Sequence, residues 1–198
     1  MARPQNLEAR ERILGAALEL FHEHGYKGVS MDEVAAKVGI KKPNLFHYYP
    51  TKDQLGLAVL ERAVRCSREG IVRQFDENGD PIKKIEAMFS DSLDRMEKSC
   101  CAKGCFIGNL AQEVSDHNEK LREKVSEHLL FWADRLAAYL DRHRAAGYFR
   151  KDLDAKQSAE ALISLLEGAT LFAKANKRVD ALKNARKMAV AYLRTYKA

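Results

Sequence analysis

Residues 30–52, reading SMDEVAAKVGIKKPNLFHYYPTK, constrain this chain more than any other stretch. Ser30 followed three residues later by Glu33 is a capping box, the signature of a helix start. Val34, Ala35 and Val38 give the next turns one apolar side. Gly39 ends them, because glycine tolerates the left-handed conformation that closes a helix. Ile40 is the apolar residue of the turn. A second segment, residues 42–48, opens with Pro43, whose missing N–H costs nothing in a first helical turn. Pro50 stops it, and Thr51 can cap a further helix. Two short helices across a glycine-containing turn make a helix-turn-helix, and the second helix of such a unit enters the DNA major groove.

The remainder reads as helix. Only four of the 198 residues are proline, and Ala, Leu, Glu, Lys and Arg recur at helical spacing, so the fold class is all-α. The 34 Lys and Arg against 28 Asp and Glu give a net charge of +6, compatible with nucleic acid without requiring it. The N-terminus, MARPQNLEARER, has no apolar segment behind it, and no run approaches the ~18 apolar residues of a membrane span. A cytoplasmic location and no membrane partner are expected. In that setting Cys66, Cys100, Cys101 and Cys105 read as thiols rather than a disulfide framework. The sequence has no P-loop, nucleophile elbow or dinucleotide fingerprint, which argues against an enzyme. Cys-Cys-x-x-x-Cys lacks paired zinc spacing and the histidines are scattered, so neither metal nor cofactor is expected.

In chain order, residues 1–5 read as an arm whose Arg3 can reach a minor groove or simply fray. The first helix, 6–24, carries the stripe Ile13, Ala16, Ala17, Leu20 and Phe21. The fourth, 51–76, reads as a lever; the ENGDP turn follows, and a fifth helix places Ile82, Ile85, Phe89, Leu93 and Met96 on one face. A short sixth helix spans 105–114 and a long seventh spans 118–144. The eighth, 154–176, begins at a capping Asp154 and is apolar on more than one side; the ninth spans 180–196. A helix apolar nearly all round must be buried on both sides.

With the preceding ILGAALELFHEHGYKGVS, the opening stretch resembles the DNA-binding domain of the TetR family of bacterial regulators. Ala17, Leu20, Phe21, Gly25-Tyr26, Ser30-Met31, Val34-Ala35, Gly39, Leu45 to Tyr49 and Thr51-Lys52 carry the likeness. The resemblance implies a three-helix DNA-binding domain, residues 1–50. It also implies a six-helix regulatory and dimerisation domain, residues 51–198, that pairs through the eighth and ninth helices into a homodimer. Double-stranded operator DNA, read as a palindrome, and a small-molecule inducer are the implied partners, with repression the implied output.

Lys41, Lys42, Pro43 and Asn44 open the second helix of the unit, where base edges are contacted. Lys can donate to guanine and Asn can pair bidentately with adenine. By the family pattern Lys42 and Asn44 read bases and Pro43 meets a thymine methyl. Lys41 and Lys42 equally suit phosphates, where most protein–DNA contacts go. The same pattern puts Ser30, His47, Tyr48 and Lys52 on phosphates. Phe46 stands where the family usually has Tyr, so that phosphate contact is missing and Phe46 is left to pack. Tyr49 is expected in the core.

Residues 103–125, KGCFIGNLAQEVSDHNEKLREKV, and the GATLFAKANKRVDAL segment at 168–182 resemble one TetR subgroup, the NemR and AcuR-like regulators associated with electrophiles and small unsaturated compounds. The residue chemistry is consistent with this. Cys105 follows Gly104 at a helix start, where the dipole and Lys103 favour the attacking thiolate. Lys174, a charge on an apolar helix, would favour it further if it faced Cys105. Alternatively Cys105 is a small buried apolar residue and Lys174 is solvated. Cys66 is expected to pack, and Cys100 or Cys101 to resolve an oxidised Cys105. A non-covalent hydrophobic inducer is the rival, with Phe89, Phe106, Trp132 and Phe172 lining its pocket or forming plain core. A helical protein-interaction module without specific DNA binding is the alternative of a different class.

Overall fold

The structure, a computed structural model, describes residues 4–76 and 79–198. Arg3 and the first residues of the ENGDP turn lie outside the described residues. Among the described residues the helices are α1 (Pro4–His24), α2 (Met31–Val38), α3 (Lys42–Tyr48), α4 (Lys52–Asp76), α5 (Pro81–Lys98), α6 (Phe106–Val114), α7 (Glu119–Ala145), α8 (Ala155–Asn176) and α9 (Asp180–Thr195). No strand occurs among them, and the all-α class stands.

The start and stop signals act as read. The Glu33 amide donates to Ser30 Oγ at 3.2 Å and the Ser30 amide to Glu33 Oε2 at 2.6 Å, closing the capping box. Gly39 adopts φ 74°, and the Ile40 amide returns to the Ala35 carbonyl at 3.0 Å, a Schellman closure. Thr51 Oγ accepts from the Gln54 amide at 3.2 Å ahead of α4. Asp80 accepts from the Ile82 and Lys83 amides, and Asp154 from the Gln157 amide at 2.9 Å.

Two compact units emerge. The first comprises the residues up to Cys66 together with Phe106–Glu127; the second comprises Ser67–Cys105 and His128–Ala198. They cut the chain differently from a division at residue 50, because α4 and α7 each contribute to both and α6 packs with α1–α3. In the first unit Ile13, Ala17, Phe21, Val34, Leu45, Tyr49, Leu55 and Val59 are buried. The Val, Leu, Ile and Phe side chains among them contribute roughly 1.5–3 kcal/mol each when fully buried, which fixes the short helices α2 and α3 that could not stand alone. In the second, α5, α8 and α9 with parts of α4 and α7 enclose Phe75, Ile85, Phe89, Leu136, Leu162 and Leu193.

Candidate DNA-reading face and sensor region

Helix α3 is anchored by one residue. Leu45 is wholly buried, while Lys41, Lys42, Pro43, Asn44 and His47 all lie exposed around it. Lys41 is the N-cap residue and makes no side-chain cap, so its ammonium is presented to solvent. Lys42 pairs with Asp32 at 2.9 Å and its ammonium stands 5.8 Å from the Phe46 ring. Both partners of that pair are exposed, so it holds the side chain only weakly. The His47 and Tyr48 rings meet edge to face at 5.7 Å. Asn44, His47 and Tyr48 border a hollow of about 250 Å³ with Arg12 of α1, whose guanidinium donates to the Val38 carbonyl at 3.0 Å. Arg12 is a cation beside the reading helix that sequence reasoning missed; its place on an otherwise polar side of α1 was the available signal.

Ser30 is committed to its cap, its hydroxyl donating to Glu33 Oε2 at 2.7 Å. Lys52 is half-buried rather than free: its ammonium donates to the Lys27 carbonyl at 3.2 Å and lies 4.8 Å from the Tyr26 ring. Burial pulls the Lys52 ammonium below its ordinary range, opposed by the Glu113, Asp53 and Glu33 carboxylates. Tyr26 donates to Asp53 Oδ1 at 2.6 Å; burial first, then that carboxylate, pushes its phenol up. Tyr49 is buried as expected. Phe46 is not: it is 36% exposed on the same helix as the cations, because Leu45 and Tyr49 already occupy the inward positions.

Helix α6 joins this unit through Glu113, a residue that sequence reasoning passed over. Its carboxylate accepts from the Lys27 amide at 3.0 Å, and a Cβ at Gly25 would come within 2.9 Å of it. At the other end of α6 the Phe106 ring meets His22 edge to face at 5.6 Å. The turn between α1 and α2 is thereby held by α6.

In the second unit Cys105 precedes α6 as its cap-side neighbour rather than lying within it. The group that meets it from α8 is Glu167, joined to Cys105 by a hydrogen bond, with Arg95 of α5 acting on the same carboxylate. Burial pushes the Glu167 carboxyl up, and Cys105 and Arg95 pull it back. Lys174, the cation that would favour the thiolate if it faced Cys105, lies seven residues beyond Glu167, about 10 Å along the helix axis. None of the four cysteines is in a disulfide. Cys66 is exposed rather than packed, as is Cys100, whereas Cys101 is buried.

The four aromatics differ in their surroundings. Phe89 is wholly buried core and Phe106 belongs to the first unit, while Phe172 is 63% exposed on α8. It faces outward because Leu166, Ala169 and Ala173 take the inward positions of those turns. Trp132 packs against the second core with its Nε1 buried and unpartnered. His128 Nδ1 and the Tyr139 hydroxyl are likewise buried without a partner. These three sit four and seven residues apart on α7 and so share one face. His128 Nε2 lies 3.2 Å from the Ser67 hydroxyl, and burial, then Arg68, depresses its pKa to about 4.

Two family models match the chain. A family model for bacterial regulatory proteins of the tetR family matches residues 13–59, and one for a tetracyclin repressor-like C-terminal domain matches residues 81–189. The chain is 29% identical over 175 residues to the transcriptional regulator AcuR of Cereibacter sphaeroides, covering 88% of this chain and 80% of that protein. It is 24% identical to the transcriptional repressor NemR of Escherichia coli over 179 residues, 90% of each. The reduced form of E. coli NemR superimposes with a TM-score of 0.85 over 96% of this chain and 97% of that one. A TetR regulator from Chloroflexus aurantiacus, 26% identical, gives 0.88 over 98% of each. Among the described residues no helix is long and apolar enough to cross a membrane.

Proposed function

The chain belongs to the TetR family of bacterial regulatory proteins, and from that premise we propose that it is a cytoplasmic repressor that binds a palindromic operator as a homodimer. Modification of Cys105 by a reactive electrophile or oxidant releases it. The observation that carries the DNA-reading half is the run Lys41–Asn44 with His47, held out to solvent by a wholly buried Leu45. Lys42 and Asn44 read base edges, Pro43 meets a thymine methyl, and Lys41, Ser30, His47, Tyr48 and Lys52 contact phosphates. Leu165, Leu171 and Phe172 of α8 and Met188 of α9 are exposed. An apolar surface of this kind supports burial against the same helices of a second copy. The dimer then sets two reading helices about one DNA turn, ~34–36 Å, apart.

The trigger acts through the chain itself. Cys105 is bonded to Phe106, the first residue of α6, and α6 carries Glu113 to the turn ahead of Ser30. A group added to Cys105 releases DNA only insofar as it favours one of two conformations over the other. A second reading, a non-covalent inducer, is favoured by the unpartnered polar atoms of His128, Trp132 and Tyr139. Each such buried atom costs roughly 1–3 kcal/mol, so that inducer carries hydrogen-bonding groups and is not purely hydrophobic.

The test treats the protein and Cys105→Ser with hypochlorite or a quinone and measures retention of the duplex upstream of its own gene. Release of the unsubstituted protein alone supports Cys105. Equal release of both removes it, and failure to bind any duplex specifically leaves a helical interaction module.

A further inference from the structure

The cation expected to read a base is held by an acid. The Lys42 ammonium lies 2.9 Å from Asp32 Oδ1 and 3.0 Å from Asp32 Oδ2, ten residues earlier in the chain and across the turn between α2 and α3. A carboxylate on a face that meets phosphates weakens binding by charge alone. Nor is Asp32 needed as a cap, since Ser30 and Glu33 close the capping box of α2 by themselves. We propose that Asp32 and Lys42 together read one C·G base pair in the major groove, Asp32 accepting from the cytosine amino group and Lys42 donating to the guanine. This rests on the DNA-reading function proposed above. Asp32, which sequence reasoning passed over, then sets specificity at that base pair.

The spacing carries the assignment. The major-groove edge of a C·G pair presents a donor, the cytosine amino group, beside two acceptors, guanine O6 and N7. The amino group and O6 are joined by an N–H···O bond of ordinary length, about 2.9–3.0 Å. Lys42 and Asp32 repeat that spacing with donor and acceptor exchanged, so the ammonium meets O6 while the carboxylate meets the amino group. An ammonium has three donors and a carboxylate about four acceptor sites, so their mutual bond leaves both with capacity for a base. With the base pair reversed, the carboxylate faces guanine O6 and N7 and is repelled. At adenine the ammonium finds one acceptor, N7, where guanine offers two. Asp32, Lys42 and Phe46 are all exposed. The Phe46 ring, 5.8 Å from the ammonium, limits where Lys42 can swing. An exposed ion pair is weak, so it opens toward a base at little cost.

The duplex upstream of the chain's own gene is the probe. Each base pair of its specifically bound segment is replaced in turn. Affinity is measured by fluorescence anisotropy for the full-length protein, Asp32→Ala, Lys42→Ala and the double variant. At one C·G pair the unsubstituted protein should discriminate against T·A by about 5–150-fold, and Asp32→Ala should lose most of that preference. The double variant should lose less than the product of the single losses, because the two groups act as one. A pyrimidinone analogue of cytosine that lacks the amino group should cost the unsubstituted protein a similar factor and Asp32→Ala far less. Asp32→Ala that binds every duplex more tightly with its base preferences intact overturns the proposal, leaving Asp32 a tether that repels phosphates. A preference lost at an A·T pair overturns it too. So does a guanine preference that changes with Asp32 while the amino group has no effect, since Asp32 then only positions Lys42. Should Asp32→Ala fail to fold by circular dichroism, the analogue series on the unsubstituted protein decides alone: no position sensitive to the amino group overturns the pair. Absence of specific binding to any duplex sinks the DNA-reading function and the pair with it; specific binding without amino-group sensitivity sinks the pair alone.

Discussion

Replacing Gly56 with alanine sets two effects of known size against each other. Gly56 is buried in the second turn of α4, where alanine would gain about 1 kcal/mol of helix propensity. Its new Cβ, however, would stand 2.6 Å from Tyr26 Cε2 and 3.3 Å from Cζ. The ring cannot step aside cheaply. Its hydroxyl is held by Asp53 at 2.6 Å, Phe21 meets its edge at 5.3 Å, and the Lys52 ammonium lies 4.8 Å from its centroid. Overpacking costs about 1–3 kcal/mol and a loosened hydrogen bond about 0.5–1.5 kcal/mol. The clash outweighs the propensity, for a net loss of about 1–3 kcal/mol and a Tm lower by roughly 2–4 °C per kcal/mol. Gly70 in the same helix has nothing within 4 Å of a built Cβ, so Gly70→Ala should gain up to about 1 kcal/mol. Thermal unfolding by circular dichroism compares the two. Because the displaced ring carries Lys52 with it, Gly56→Ala should also weaken binding to every duplex. If Gly56→Ala stabilises as much as Gly70→Ala, the Tyr26 clash is not what keeps glycine there.

Lys52→Ala should weaken all duplexes alike and lower the salt slope of log K by about 0.9, one phosphate's worth, in a titration by fluorescence anisotropy. An unchanged slope would confine Lys52 to the Lys27 carbonyl and the Tyr26 ring. Asn44→Ala should leave the slope alone and relax discrimination at one base pair by about 1–3 kcal/mol in competition binding. Phe172→Arg puts a charge on the exposed apolar face of α8 and should give a monomer in sedimentation velocity; a persisting dimer would place the interface elsewhere. His128 carries a pH signature. Its folded pKa of about 4 lies below the ordinary value near 6.5, so the unfolded chain binds the proton first. Its contribution is complete above about pH 6.5 and is lost as pH falls toward 4, by up to about 3 kcal/mol. His128→Gln should flatten that part of the stability profile in urea unfolding, and an unaltered slope would rule His128 out as its source.

The helix-turn-helix was legible because its signals are local. A cap at Ser30, a left-handed glycine at Gly39 and a proline at Pro43 each act within a few residues, and all three hold in the structure. Periodicity likewise located the helices, since a buried stripe repeats along one chain segment. What could not be read was which residues meet across segments. Glu167 and Glu113 look like ordinary polar positions on their own helices, and only packing brings them to Cys105 and to the Lys27 amide. The same limit applies to Phe172, which is exposed on α8. Periodicity says that Phe172 lies on an apolar side of α8, but not whether that side meets the chain's own core.

The position of α6 shows why so short a helix can matter. It packs with α1–α3 through Glu113 and Phe106, while the residue before it carries the thiol that α8 holds. On the proposed trigger, the peptide bond between Cys105 and Phe106 is where chemistry at a side chain reaches α6. The energies are commensurate. Coupling between sites is typically about 1–3 kcal/mol, a factor of roughly 5–150 in affinity. A hydrogen bond to a charged group contributes about 1.5–3 kcal/mol at best, and less where it is exposed, as the Glu113 bond to Lys27 is. Disturbing that contact, and the turn it steadies ahead of Ser30, is enough to account for coupling in the lower part of the range. On the proposed trigger, an adduct at Cys105 has only to disturb this contact to weaken operator binding by such a factor.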